Sequence, residues 1–234
     1  MKRTTSLAAL AAVVLALLFT GSAVAETSPV VVASLTSHQK VGDISDDITE
    51  LAKVSDLPTW FASMLKLYGE GKGVAGLDAS RPWGAVIQGD GQKLSAYAFI
   101  PVTDAEWLSW ELEDYIDEVN EVGYETYHVI GTDKSQELYA KVTSRWVYVA
   151  NDKASLASVA ADPAELLGSM PEQYDAALRL ETRNIPADKG EKIIGMLDKT
   201  VGPTMRKVAS DEIMDVIGEA LMMVDQITMG WTVK

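Results

Sequence analysis

The sequence predicts an α+β protein: a mainly antiparallel sheet with helices packed on it, and a partial internal duplication of a strand-helix-helix-strand unit. Three observations predict it. Short runs rich in β-branched residues alternate with amphipathic segments of helical period. Gly89-Asp90-Gly91 joins two apolar runs, and no helix follows it. The order strand, helix, break, helix, strand at 30–88 recurs at 176–233.

The chain opens with Lys2 and Arg3, then an apolar run from Leu7 to Phe19, then small residues with Ala23 and Ala25 at the A-x-A positions. This is the three-part pattern of a secretory signal peptide cleaved after Ala25. The run of 13 residues is shorter than the roughly 20 that a membrane span needs. The expected location is therefore exported, periplasmic or extracellular, with no membrane insertion after cleavage. The expected organisation is a signal peptide at 1–25, a first α+β unit at 26–170 and a partial second unit at 171–234 packed on the first.

Past the signal, Val30–Leu35 reads as a buried strand. Asp43–Val54 carries Ile44, Ile48, Leu51 and Val54 at helical spacing. Leu57-Pro58 opens a second helix with Trp60, Phe61, Met64, Leu65 and Tyr68 on one face. Trp83–Gln88 and Lys93–Val102 are strands. In the latter, Leu94, Ala96, Ala98, Ile100 and Val102 point one way and Ser95, Tyr97 and Phe99 the other. Glycines between two strands make a hairpin, whereas a phosphate cradle needs a helix N-terminus after them.

Thr103 and Glu106 have capping-box spacing and predict a helix from Asp104 to Val119, stopped by Gly123. Strands follow at 124–130, 137–142 and 145–150, the last two split by Thr143-Ser144. Asp152 caps a short helix, and Asp162-Pro163 opens another that Gly168 ends. Ala176–Glu181 is a strand, 187–201 and 205–224 are helical, and Ile227–Val233 is a strand. VVVASLTS then matches AALRLETR in kind, and SRPWGAVIQ matches QITMGWTVK.

Composition excludes several functions. The chain has no cysteine, so thiol catalysis and thiolate metal sites are out and packing alone must hold it together. The first 25 residues carry two of the 20 Lys and Arg and none of the 34 Asp and Glu, which leaves the mature chain at −16. Such a surface repels nucleic acid.

Several motifs lack the context their chemistry requires. Gly71–Gly76 matches G-x-G-x-x-G, but a helix precedes it and a strand follows, the reverse of a dinucleotide site. Ser37-His38-Gln39-Lys40 has S-x-x-K without S-D-N or K-T-G. Asp43, Ser45 and Asp47 start like a calcium loop, yet Ile48 and Val54 stand where glycine and a bidentate acid are needed. His38 and His128 have no neighbouring histidine at ligand spacing and read as structural. Six of the nine methionines fall between Met196 and Met229, and at that spacing they read as core filling rather than a copper site. No cofactor is expected.

Trp110 falls nearly opposite the apolar stripe of the 104–119 helix, and Trp107 lies well off it. A tryptophan in water points to a stacking platform for a sugar ring or a partner's side chain. Glu113, Asp114 and Asp117 would form its polar rim. The expected function is thus a non-enzymatic binding or interaction module for an extracytoplasmic protein or a carbohydrate. The alternative is an extracytoplasmic hydrolase whose carboxylates converge only in the fold.

GKGVAGLDASRPWGAVI, FIPVTD, WVYVAND, DPAELLG and YDAALRLETRNIP together resemble a family of exported, planctomycete-type bacterial proteins of unknown function. The likeness spans most of the mature chain. It implies export and a shared architecture, with a longer chain whose second half repeats the first. It implies no catalytic residues.

Overall fold

The structure is a computed structural model and describes residues 27–36, 75–89, 94–132, 137–185 and 224–232. Nine strands run through these residues: β1 (Ser28–Leu35), β2 (Trp83–Gly89), β3 (Leu94–Pro101), β4 (Ile116–Gly123), β5 (Thr126–Gly131), β6 (Glu137–Val142), β7 (Trp146–Ala150), β8 (Ala176–Leu180) and β9 (Ile227–Trp231). They form one sheet in the order β4-β5-β6-β7-β3-β2-β1-β8-β9, and every neighbouring pair is antiparallel. Among the described residues the α-helices are α1 (Ala105–Glu111), α2 (Ala164–Leu167) and α3 (Met170–Gln173).

The α+β expectation is thereby corrected: the fold is mainly β, one large sheet with three short helices among the described residues. The helices expected at 43–54, after Leu57, at 187–201 and at 205–224 lie, but for Val224, outside the described residues, as does the signal peptide at 1–25.

The helix expected from Asp104 to Val119 is the clearest local correction. It ends at Glu111, and Ile116–Gly123 is strand β4. Ile116, Val119 and Val122 recur at every third residue, which imitates a helical stripe. The cause is a pair of irregularities in the β4–β5 ladder, between Ile116 and Glu118 and between Glu121 and Gly123. Each breaks the two-residue alternation by which a strand is recognised. The β-branched residues fit the extended backbone, and β5 supplies the hydrogen bonds. Gly123 therefore ends a strand, and the chain turns back through Tyr124 and Glu125, the latter at φ 50°. The cap also moves by one residue. Asp104 accepts from the backbone N–H groups of Glu106 at 2.9 Å and Trp107 at 3.2 Å, so it and not Thr103 caps α1.

The glycine-marked turn after β2 does join a hairpin, for β2 and β3 pair antiparallel from Gly84↔Phe99 to Gly89↔Leu94. Both faces of β3 are buried, because the sheet is covered on both sides there. On one face Val86, Tyr97, Phe99, Trp146 and Tyr148 pack under Leu156, Leu167 and Met170 from the segment that contains α2 and α3. Phe99 meets Trp146 edge-on at 5.5 Å, and Tyr97 meets Tyr148 at 6.0 Å. The Tyr148 hydroxyl donates to the Ala160 carbonyl at 2.7 Å, which satisfies its buried polar end.

Toward the β9 edge of the sheet β1 pairs with β8, while β2 and β9 flank them on either side. Residues 26–170 and 171–234 thus contribute to one continuous sheet. Strand order and direction repeat about the β1–β8 contact, but register does not. Ser34 faces Gly84, whereas Leu180 faces Ile227 and Gly230 faces Ala177. The sequence match that sets Gly84 against Gly230 is not kept by the ladders.

Candidate ligand site

The other face of the sheet, from β4 to β3, carries a continuous apolar surface. Cross-strand rows build it: Val119, Val129 and Leu138; then Tyr127, Ala140 and Val149; then Val142, Val147 and Ile100. Alternation along each strand sends these side chains to one side. The helix α1 lies over this surface and turns Leu108 and Leu112 inward, both buried.

Helix and sheet do not close on each other. Between them lies a cavity of about 560 Å³, lined by residues of α1, β3, β4, β5, β6 and β7. Among the described residues its walls are aliphatic but for Glu106, Ser109, Tyr115 and Tyr127. Val119, at 53% exposure, marks its open side on β4.

Two anchors hold the roof. Gly76 has φ 84°, and its carbonyl accepts from the N–H groups of Thr103 at 2.8 Å and Asp104 at 3.2 Å. This is the last glycine of the 71–76 run. Its observed role is to seat the entry to α1, in a conformation glycine adopts without strain. Arg81 forms the second anchor. Its Nη2 donates to the carbonyls of Val102 at 3.0 Å and Arg145 at 2.9 Å, tying the 78–81 turn to the end of β3 and the start of β7.

Trp107 and Trp110 both lie on α1, 54% and 58% exposed. Their rings are 5.3 Å apart and tilted by 60°. Glu113 and Asp114 follow in a 3-10 turn, Glu113–Tyr115, and Asp117 lies on β4; all three are exposed. The fold thus brings the tryptophans together, while the expected acidic rim is not on their helix. At 100° per residue, Trp107 and Trp110 point away from the side where Ala105, Leu108, Ser109 and Leu112 line the cavity. Cavity and tryptophan pair are opposite faces of one helix.

The cavity-lining residues escaped the sequence reading. Alternation in β5, β6 and β7 shows that one face is apolar, but it carries no sign of whether that face is packed or left open.

His128 sits on the opposite side of the sheet, stacked on Tyr139 at 4.9 Å. Its Nε2 is 3.1 Å from Oε2 of the exposed Glu137. A partly exposed pair of this kind adds little stability. Among the described residues no group of three or more His, Asp or Glu could hold a metal ion, and no helix is long and apolar enough to cross a membrane.

Comparison of the chain with protein-family models, curated proteins and solved structures finds no match. The likeness to exported planctomycete-type proteins rests on the quoted residues alone.

Proposed function

We propose that the protein is an exported, non-enzymatic binding module that holds an apolar small molecule between α1 and the sheet. The observation that carries this reading is the cavity of about 560 Å³ with almost wholly aliphatic walls. Ligand pockets fall in the range of about 300–1,000 Å³ and combine apolar walls with a few polar groups. Close-packed interiors hold few voids larger than a water molecule, so a space of this size suits a guest. Export is supported by the basic start, the short apolar run and the A-x-A site at 1–25. The rival reading, a hydrolase, needs converging acids. Among the described residues lining the cavity, Glu106 is the one carboxylate.

The test is titration with the neutral dye N-phenyl-1-naphthylamine, whose fluorescence rises in apolar surroundings. Saturable binding at one site is expected. Val149→Trp fills the cavity from the sheet and Ser109→Trp blocks it from the helix; each should abolish the signal. Both variants folded and binding dye as the parent does would overturn the reading.

A further inference from the structure

We infer that the outer face of α1 is a docking site for a cationic side chain, arginine or lysine, of a partner polypeptide. Trp107 and Trp110 are more than half exposed there, with rings 5.3 Å apart. Tryptophan in water forgoes a large apolar burial, and exposed tryptophan pairs are the residues that partners bury at interface hot spots. At 100° per residue, Glu106 flanks Trp110 on one side and Glu111 flanks Trp107 on the other. Both glutamates are exposed.

Charge identifies the occupant. Between Asp104 and Glu125 the sequence holds nine acids and no lysine or arginine. Indole faces attract cations through their quadrupole, and flanking carboxylates add to that attraction. The protein makes the same contact internally, where the Arg81 guanidinium lies 4.5 Å from the Trp146 ring centroid. The 60° tilt between the rings gives them no common plane, and the flanking acids favour a cation over a neutral sugar ring. An anionic membrane is repelled by the same acids. The tryptophan pair lies away from the cavity, which is on the inner face of the helix; Glu106 stands between the two faces and also lines the cavity.

The experiment uses the full mature chain and two fluorescent peptides of repeated arginine-glycine or glutamate-glycine, followed by anisotropy at physiological salt. The arginine peptide should bind and the glutamate peptide should not. Trp107→Leu/Trp110→Leu leaves the net charge unchanged and should weaken arginine-peptide binding by about fivefold or more, with the melting temperature unmoved. Glu111→Gln should weaken it less, and Glu165→Gln/Glu172→Gln, the same kind of exposed change elsewhere, should have a smaller effect than Glu111→Gln. If the double tryptophan variant binds as the parent does, bulk charge alone explains binding and the site is refuted. Unfolding of that variant, or quenching of the tryptophans by a neutral oligosaccharide and not by the arginine peptide, also refutes it.

Discussion

The guanidinium of Arg81 lies 4.5 Å from the centroid of the Trp146 ring. In the same pose its Nε donates to Asp78 Oδ2 at 2.7 Å and its Nη2 to two backbone carbonyls. Only a planar fork makes all of these contacts at once. Arg81→Lys is therefore not conservative here and should destabilise by about 1–2 kcal/mol, and Arg81→Ala by about 2–4 kcal/mol. Urea unfolding measures both. An alanine variant as stable as the parent would show that the clamp does not hold the turn to the sheet.

Asp78 makes part of that clamp sensitive to acid. The hydrogen bond from the Ser80 hydroxyl lowers the pKa of its carboxyl most. Burial opposes it, and the hydrogen bonds from Arg81 and the Ser80 backbone N–H, with the Arg81 charge, keep the net shift below the usual carboxylate range. The folded value is thus lower than the unfolded value of about 3.9. The stability it contributes is fully present above that value and is lost as pH falls through the folded one. Asp78→Asn should lower the melting temperature at pH 6, and its deficit against the parent should shrink below pH 4. A deficit constant from pH 6 to pH 2 would contradict the shift.

Alkali should act on the same packed face of the sheet, where Tyr97 and Tyr148 lie with Trp146. Burial pushes the Tyr97 hydroxyl up to about 12, and burial also raises that of Tyr148, with smaller contributions from Tyr97 and Asp162. Both values exceed the unfolded one of about 10. Their contribution is fully present below pH 10 and falls as pH rises from there, by about 1.4 kcal/mol per pH unit for each tyrosine until its folded value is reached. Melting temperatures should drop steeply above pH 10, and Tyr97→Phe should make the drop shallower. Identical slopes in the two proteins would exclude Tyr97 as a contributor.

Gly76 should tolerate no side chain. At φ 84° an added Cβ would collide with the Asp104 carbonyl oxygen and come within 2.5 Å of the Leu108 nitrogen. Both are backbone atoms at the start of α1 and cannot swing aside. Gly76→Ala should destabilise by more than about 2 kcal/mol. It should also weaken dye binding, since the roof of the cavity has to move. Parental stability and dye affinity together would show that α1 is not seated on this glycine.

The hairpins were legible because their chemistry is local. Glycines at 89–91 and Thr143-Ser144 sit between apolar runs that alternate, and the strands pair across both sites. Thr143 Oγ1 donates to the Trp146 carbonyl and accepts from its N–H, both at 3.0 Å, a turn contained within four residues. Asp152 was legible for the same reason, accepting from Ser155 N–H at 3.0 Å. β4 was not legible. Its two ladder irregularities are fixed by pairing with β5, and they leave a three-residue spacing that belongs equally to a helix. Trp110 lies off the apolar stripe because α1 keeps the first part of the expected helix, but α1 ends before Glu113, Asp114 and Asp117.

What the sequence by itself determined are quantities that need no neighbour: an acidic chain without cysteine, a basic start followed by a short apolar run, turn chemistry, and which side chains share a face of a regular strand. The tertiary structure decided the rest. It chose strand over helix at 116–123, because backbone hydrogen bonds to β5 outweigh a weak local preference. It merged the two expected units into one sheet, because β1 and β8 satisfy each other's edges. It opened the cavity, because the gap between α1 and the sheet depends on where Gly76 and Arg81 seat the roof, and that separation is set by contacts between residues distant in the chain.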